Sequence, residues 1–220
     1  MKSANAKTGW EGASRLSGLA CVSSIYGFLV LTLLLAVMVS SVAGKDPIMP
    51  TFGQGPIKVS LYTDYFCPPC RIMEPELEPI LVDLVKKGRI TLTFVDTPTS
   101  PYTSLYARYF LYAVNAGGSF EHALLARNAL FEAAAQMITE REKLEGFLKD
   151  KGVEFKAVDV TPTLVFWNRH LKENNVSSTP TCVMIKGDRK EFFQGPSDII
   201  KAMKDLTESQ GEEHVREKGI

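Results

Sequence analysis

Two cysteines, Cys67 and Cys70, are separated by two prolines, a spacing that lets a pair of thiols close a small reversible disulfide. The pair follows an apolar run and opens a segment whose apolar residues recur at helical spacing. At a helix N-terminus, unpaired amides and the positive end of the helix dipole favour a thiolate. The residues therefore predict thiol–disulfide exchange, with Cys67 as the attacking thiol and Cys70, one turn further into the helix, as the resolving thiol.

Two other roles are open to this cysteine pair, half of a zinc site and a structural disulfide. A zinc site needs two further ligands, and the three histidines show no matching spacing. Cys21 lies in an apolar N-terminal run, and Cys182 lies in an apolar run typical of a buried strand, where a packed, unreactive thiol is expected. A structural disulfide across so short a loop would add little stability. The sequence thus predicts a redox-active disulfide between Cys67 and Cys70, with no metal and no cofactor.

The overall charge of the chain excludes one class of partner. Lys and Arg together number 25, as do Asp and Glu, so no global field attracts nucleic acid. The sequence also contains no basic run and no Gly-rich phosphate loop. We therefore expect no nucleic-acid partner, and the 220 residues suffice for one domain with a well-buried core and accessory segments.

The cysteines lie within an ordered series of predicted elements. Strand patterns at 57–63 and 90–95 flank the helical segment that follows Cys70, which predicts a β-α-β unit with parallel strands. Helical patterns fill 100–175. A β-hairpin at 180–193 and a closing helix follow. The fold class is therefore α/β, with a β-α-β half and a β-β-α half separated by helices.

An N-terminal stretch without charged residues separates Arg15 from Lys45. It is long enough to supply the ~20 apolar residues that cross a bilayer. More positive charge precedes the stretch than follows it, so residues 1–16 are expected in the cytoplasm and the C-terminal domain in the periplasm or another extracytoplasmic space. We predict a single-pass transmembrane signal anchor at 17–44 in the inner (cytoplasmic) membrane; cleavage near Ala43, which would secrete the protein, is the alternative.

From Ile57 to Leu206 the chain resembles the thioredoxin superfamily. The segment Cys67-Pro-Pro-Cys-Arg-Ile-Met-Glu-Pro75 is similar to the active-site helix of that superfamily. The segment Ser178-Thr-Pro-Thr-Cys-Val183 is similar to the one that carries its cis-proline. The helical block between the two halves resembles the insertion of the DsbA-like branch.

This resemblance sets the expected domain boundaries. Residues 57–99 and 176–207 form the two parts of a thioredoxin-like domain, and residues 100–175 form the helical insertion. Residues 45–56, rich in proline and glycine, are expected to be a linker without regular structure, and residues 208–220 a polar tail.

The resemblance also implies a substrate site around the dithiol. In the superfamily, the proline at the position of Pro180 is cis and packs against the dithiol. The backbone before it, here that of Thr179, pairs with an extended substrate like an added strand. Phe66, Pro68 and Pro69 border the cysteines and are the other expected substrate contacts.

The two prolines have a consequence for the redox potential. Neither Pro68 nor Pro69 carries an N–H, so neither can donate to the sulfur of Cys67, and the amides of Cys70 and Arg71 and the Cys70 thiol remain. Fewer donors stabilise the reduced thiolate less. We predict a potential between about −270 mV, the thioredoxin value, and about −120 mV, the DsbA value.

One position departs from the family pattern. Many thioredoxin-like proteins carry a buried acid six residues before the first cysteine, where it accepts the proton of the resolving thiol; this chain has Leu61 there. Asp64 lies nearby at the opposite parity of the strand, so its side chain is expected to face away. Water or a backbone carbonyl is left to accept the proton of Cys70, which predicts slower or differently tuned exchange.

Together these features predict a membrane-anchored oxidoreductase that exchanges disulfides with cysteines of exported proteins and is recycled by a membrane redox partner. The direction of exchange stays open. The DsbA-like insertion favours a disulfide donor, whereas the missing amide donors favour a dedicated reductase or isomerase, for example in cytochrome maturation. A non-catalytic module that binds Cu(I) or client proteins through the dithiol is a further alternative.

Overall fold

The structure is a computed structural model that describes the backbone of residues 46–217 and the side chains of residues 46–208. The predicted cytoplasmic segment 1–16 and signal anchor 17–44 lie outside the described residues. Within residues 46–217, none of the helices combines the length and the apolar character needed to span a bilayer.

A five-stranded mixed sheet forms the centre of the fold, with strand order β1-β3-β2-β4-β5. Strands β2 and β3 pair in parallel and flank helix α1, as the β-α-β prediction requires, and the other neighbouring pairs are antiparallel. The strands are β1 (Thr51–Phe52), β2 (Ile57–Thr63), β3 (Ile90–Asp96), β4 (Thr181–Lys186) and β5 (Arg189–Gln194), and α1 covers Pro68–Lys86.

Four helices connect β3 to β4, where a helical insertion was predicted. They are α2 (Thr103–Gly117), α3 (Phe120–Ala135), α4 (Arg141–Asp150) and α5 (Thr161–Glu173). Gly118, with φ of 63°, ends α2, and the hydroxyl of Ser119 accepts the His122 amide at 3.1 Å to cap α3. The predicted α/β fold with a helical insertion is therefore confirmed for the described residues.

The segment predicted as a linker is partly folded onto the domain, which corrects that prediction. Strand β1 lies inside it, and the buried ring of Phe52 lies 5.1 Å from that of Phe120 and 6.1 Å from that of Phe94. The Ile48 carbonyl accepts the Thr163 hydroxyl at 3.0 Å. Pattern reading missed this strand because only two residues pair, too few to show an alternation.

The C-terminal end of the domain is also more regular than predicted. Helix α6 covers Pro196–Glu217, so it continues well into the predicted polar tail 208–220. The polar residues of the tail offer no apolar face to bury, so their composition alone does not predict a helix. Earlier in the same helix, however, Ala202, Met203 and Leu206 are buried and hold it against the domain.

Candidate active site

Cys67 and Cys70 lie where β2 gives way to α1, at the carboxyl end of the central strand. Cys67 is the N-cap of α1, and its amide donates to the Asp64 carbonyl at 3.1 Å. Its side chain keeps 8% exposure, whereas Cys70 is completely buried. The two prolines between them are exposed and stand at N1 and N2 of the helix, where proline is well tolerated. Cys67 is therefore the less buried of the two cysteines, and it is bordered by two exposed prolines.

The sulfur of Cys67 has one amide donor and one carbonyl neighbour among the described residues. The Cys70 amide donates to it at 3.4 Å, and the thiol itself donates to the Thr179 carbonyl at 3.4 Å. The Arg71 amide, which the sequence left as a second candidate donor, instead donates to the Cys67 carbonyl at 3.1 Å. The structure thus offers the sulfur even fewer donors than the sequence suggested.

The resolving thiol is held in its protonated form. Burial raises the pKa of Cys70 far above its usual range, and the hydrogen bond with Cys67 adds to the increase. The main chain of Asp64 and the hydroxyl of Thr179 act in the opposite direction. Because the thiolate is the nucleophile, Cys70 has to give up its proton as it attacks a mixed disulfide on Cys67.

The Thr179–Pro180 peptide bond is cis, as the family resemblance implied. It presents the Thr179 carbonyl to Cys67, and the Pro180 carbonyl in turn accepts the Gly195 amide at 3.0 Å. Thr179 therefore faces both cysteines, with its carbonyl toward the first and its hydroxyl toward the second.

The side chain of Asp64 organises the loop before the cysteines. Its carboxylate is completely buried and accepts the amides of Phe66 and Thr99, each at 2.8 Å. The hydroxyls of Thr99 and Thr103 also donate to it, at 2.5 and 2.6 Å. The carboxylate is thus occupied in joining the active-site loop to the start of α2. Leu61, at the position of the missing acid, is a buried apolar residue of β2.

Aromatic residues line the loop beside Cys67. The half-buried ring of Phe66 lies 5.5 Å from Tyr102 and 4.8 Å from Tyr106. Tyr102 keeps 39% exposure, and Ile72 on α1 keeps 74%. The sequence indicated Phe66 but not Tyr102, because the neighbour comes from the insertion and has no local pattern that marks it.

A buried ionic cluster lies behind the active site and was missed by sequence reasoning. Arg127 of α3 is completely buried and forms a bidentate pair with Glu74 of α1, with N–O distances of 2.8 and 3.0 Å. It also donates to the Thr63 hydroxyl at 3.3 Å and lies 4.0 Å from an oxygen of Asp96. The Tyr65 hydroxyl donates to the other Asp96 oxygen at 3.3 Å. A lone arginine in the alanine-rich helix α3 was the only signal.

The cluster keeps its charges apart from solvent. Burial is the largest single influence and lowers the pKa of Arg127, but Glu74, Tyr65 and Asp96 together outweigh it and the pKa is raised. Burial raises the pKa of Asp96 to about 7, although the Arg127 guanidinium acts in the opposite direction.

We expect the folded protein to lose stability through Asp96 as the pH rises. An acid whose pKa is raised on folding contributes stability below its unfolded pKa, near 4, and loses it as the pH passes the folded value near 7. Asp96→Asn cannot ionise, so its stability relative to the unchanged protein should improve by on the order of 2 kcal/mol between pH 5 and pH 8. Urea unfolding at both pH values measures this, and the exposed Asp150→Asn is the control. An equal difference at both pH values would contradict the assignment.

A second expected result concerns Pro69. A helix N-cap side chain accepts from the amide at N2 or N3, and here N2 is Pro69, which has none. Pro69→Ala supplies that donor to the Cys67 thiolate, and a hydrogen bond to a charged group is worth about 1.5–3 kcal/mol. We expect the potential to rise by about 30–60 mV and the pH midpoint of Cys67 alkylation to fall. Glutathione titration measures the first. Pro68→Ala, which frees an amide at N1 only, is the matched control and should leave the potential unchanged.

Comparison with known proteins gives a consistent result. A family model described as Thioredoxin matches residues 53–205. No curated protein matches the chain in sequence. Among solved structures, a Wolbachia pipientis alpha-DsbA1 variant has a TM-score of 0.60 at 14% identity and covers 77% of this chain and 94% of its own.

Two further structures are similar. The catalytic domain of Proteus mirabilis ScsC has a TM-score of 0.57 at 16% identity, with coverage of 76% and 91%. A periplasmic thioredoxin-like protein from Salmonella enterica serovar Typhimurium has a TM-score of 0.53 at 21% identity, with coverage of 74% and 92%. At these identities the likeness establishes the fold.

Proposed function

The chain belongs to the thioredoxin superfamily and has a DsbA-like helical insertion, and from this premise we propose that it is a thiol–disulfide oxidoreductase acting on cysteines of exported proteins. One observation carries the proposal. The sulfur of Cys67 caps α1 and lies 3.4 Å from the carbonyl that precedes the cis-proline, with the more deeply buried Cys70 one turn behind it.

The proposed exchange has two steps. The Cys67 thiolate attacks one sulfur of a client disulfide, so a bond forms between Cys67 and the client and the second client sulfur leaves as a thiolate. Cys70 then bonds to Cys67, the mixed disulfide breaks, and the proton of Cys70 passes to the departing client thiolate. The client gains two electrons and the protein loses two. The reverse sequence donates a disulfide to a client.

The residues around the cysteines would bind the client. The Thr179 backbone and Pro180 offer an edge to an extended peptide, in the manner of an added strand. The half-buried ring of Phe66 and the exposed ring of Tyr102, together with the exposed Pro68 and Pro69, form an apolar border for residues beside the client cysteine. A membrane redox partner would recycle the dithiol.

We place the reaction outside the cytoplasm. The proposal keeps the predicted signal anchor at 17–44, or cleavage near Ala43, because either exports the domain to a compartment where disulfides persist. One structurally similar protein, from Salmonella enterica, is itself described as periplasmic.

A reductase or isomerase is the second candidate, and the single amide donor to Cys67 favours it. A less stabilised thiolate makes the disulfide form a weaker oxidant and the dithiol a stronger reductant. Thiol trapping in intact cells separates the two directions, since a mostly oxidised Cys67–Cys70 pair supports a disulfide donor and a mostly reduced pair supports a reductase.

Turnover tests the proposed activity itself. Full-length protein in detergent should catalyse either the reduction of a model disulfide by reduced glutathione or the oxidation of a model dithiol by glutathione disulfide, and the activity should persist in the presence of a metal chelator. Stoichiometric exchange without turnover would defeat the proposal and favour a binding module.

A further inference from the structure

A buried ion pair joins the helical insertion to the helix that carries the two cysteines, and the exchange steps described above give this pair no role. Arg127 of α3 is the sole fully buried arginine among the side chains described, and it binds Glu74, four residues after Cys70 on α1. Residues four apart lie on the same face of a helix, so Glu74 and Cys70 share a face. Contacts that hold the Glu74 side chain in place therefore also hold the rotation of α1 about its axis, and with it the direction in which Cys70 points.

The same arginine also holds the strand that leads to Cys67. One of its nitrogens donates both to Glu74 and to the hydroxyl of Thr63, the last residue of β2, at 3.3 Å. Tyr65, two residues before Cys67, is tied to Asp96, an oxygen of which lies 4.0 Å from Arg127. One planar group is thus linked to the approaches to both sulfurs.

Arg127 itself has little freedom to move. Its guanidinium lies 4.0 Å from the centre of the Phe94 ring and within 6.0 Å of the rings of Tyr65, Phe110 and Phe131. A planar fork that makes two parallel bonds to a carboxylate fixes orientation as well as distance.

We infer that Arg127 is a positioning residue for the intramolecular step, setting the sulfur of Cys70 in line with the bond between Cys67 and its client. This inference rests on the proposed function and assigns the insertion a part in it. In the step, the Cys70 sulfur bonds to that of Cys67, the client thiolate is expelled, and it takes the proton given up by Cys70. Reaction between two held groups is steeply sensitive to their geometry.

The experiment measures the step without any client. Full-length protein is equilibrated in glutathione redox buffer and quenched with acid. Mass spectrometry then gives the ratio of the mixed disulfide between Cys67 and glutathione to the internal disulfide. Glu74→Gln keeps the size of the side chain but removes its charge, and the double variant Glu74→Gln/Arg127→Met leaves no buried charge unpaired at this point. Both should raise the ratio about tenfold at fixed glutathione.

Two controls separate positioning from general loosening. Asn128 donates to Glu78 at 2.6 Å, an exposed contact between the same two helices, so Asn128→Ala should leave the ratio unchanged. Leu130→Ala removes a buried side chain of α3 and lowers the melting temperature, yet it should not raise the ratio. An unchanged ratio in both folded Glu74 variants, or an equal rise in Leu130→Ala, would overturn the inference.

The outcome is independent of activity on clients. A protein that shows the ratio change but has no turnover on protein disulfides would refute the proposed function while supporting the positioning role. If the protein has full turnover but the ratio is unchanged in the variants, the proposed function is supported and the positioning role is refuted.

Discussion

Cys67→Ala is expected to abolish disulfide exchange, lowering turnover about a thousandfold or more, because Cys67 is the less buried of the pair and lies at the helix N-terminus. Cys70→Ala should fail differently. The first attack still occurs, but no second sulfur breaks the mixed disulfide, so the client stays bound to the protein. Turnover assays and non-reducing mass spectrometry measure the two effects.

A third cysteine provides the control for this result. Cys182 is completely buried in β4, and burial raises its pKa to about 12. We therefore expect this thiol to be unreactive and to pack like an apolar side chain. Cys182→Ala should keep full turnover. Trapped client in Cys67→Ala, or equal loss of activity in Cys182→Ala, would be incompatible with the assigned roles.

Arg127→Met is expected to lower the free energy of unfolding by about 3–5 kcal/mol, because it leaves the Glu74 carboxylate buried and unpaired. The change keeps an apolar side chain among the surrounding rings, so the loss reports mainly on the charge. Urea unfolding monitored by tryptophan fluorescence measures it.

Removing both charges should recover much of that loss. In Glu74→Leu/Arg127→Met apolar side chains replace the ion pair, and replacing a buried ion pair by apolar residues is often neutral for stability. An exposed pair between α1 and α6, Lys204 with Glu76 at 2.8 Å, is the matched comparison. Lys204→Met should change stability by no more than about 1 kcal/mol. A single Arg127→Met variant as stable as the unchanged protein would contradict this account.

Much of the fold was readable because it has strong local signals. Alternating and apolar runs at 57–63 and 90–95 define the central parallel strands, and helical spacing after Cys70 defines α1. The cis-proline at 180 was inferred from family resemblance, since a Thr-Pro pair alone indicates no more than a turn.

What the sequence did not predict comes from contacts distant along the chain. Glu74 and Arg127 are 53 residues apart, and nothing near either residue indicates that they meet. Tyr102 likewise becomes part of the active-site border only because α2 starts beside Phe66. Burial of a charged residue depends on the whole fold, so local composition gives no sign that Glu74 and Arg127 are buried.

The placement of the Thr179 carbonyl bears on both the ionisation of Cys67 and the docking of a client. While Cys67 keeps its proton, that carbonyl is its acceptor; once the sulfur ionises, two electron-rich atoms 3.4 Å apart repel each other. If a client docks at Thr179 as proposed, its peptide N–H would relieve this repulsion, so docking would favour ionisation and ionisation would favour docking by the same factor. On that proposal the nucleophile would be most reactive with a polypeptide already in place, and less open to small oxidants before then.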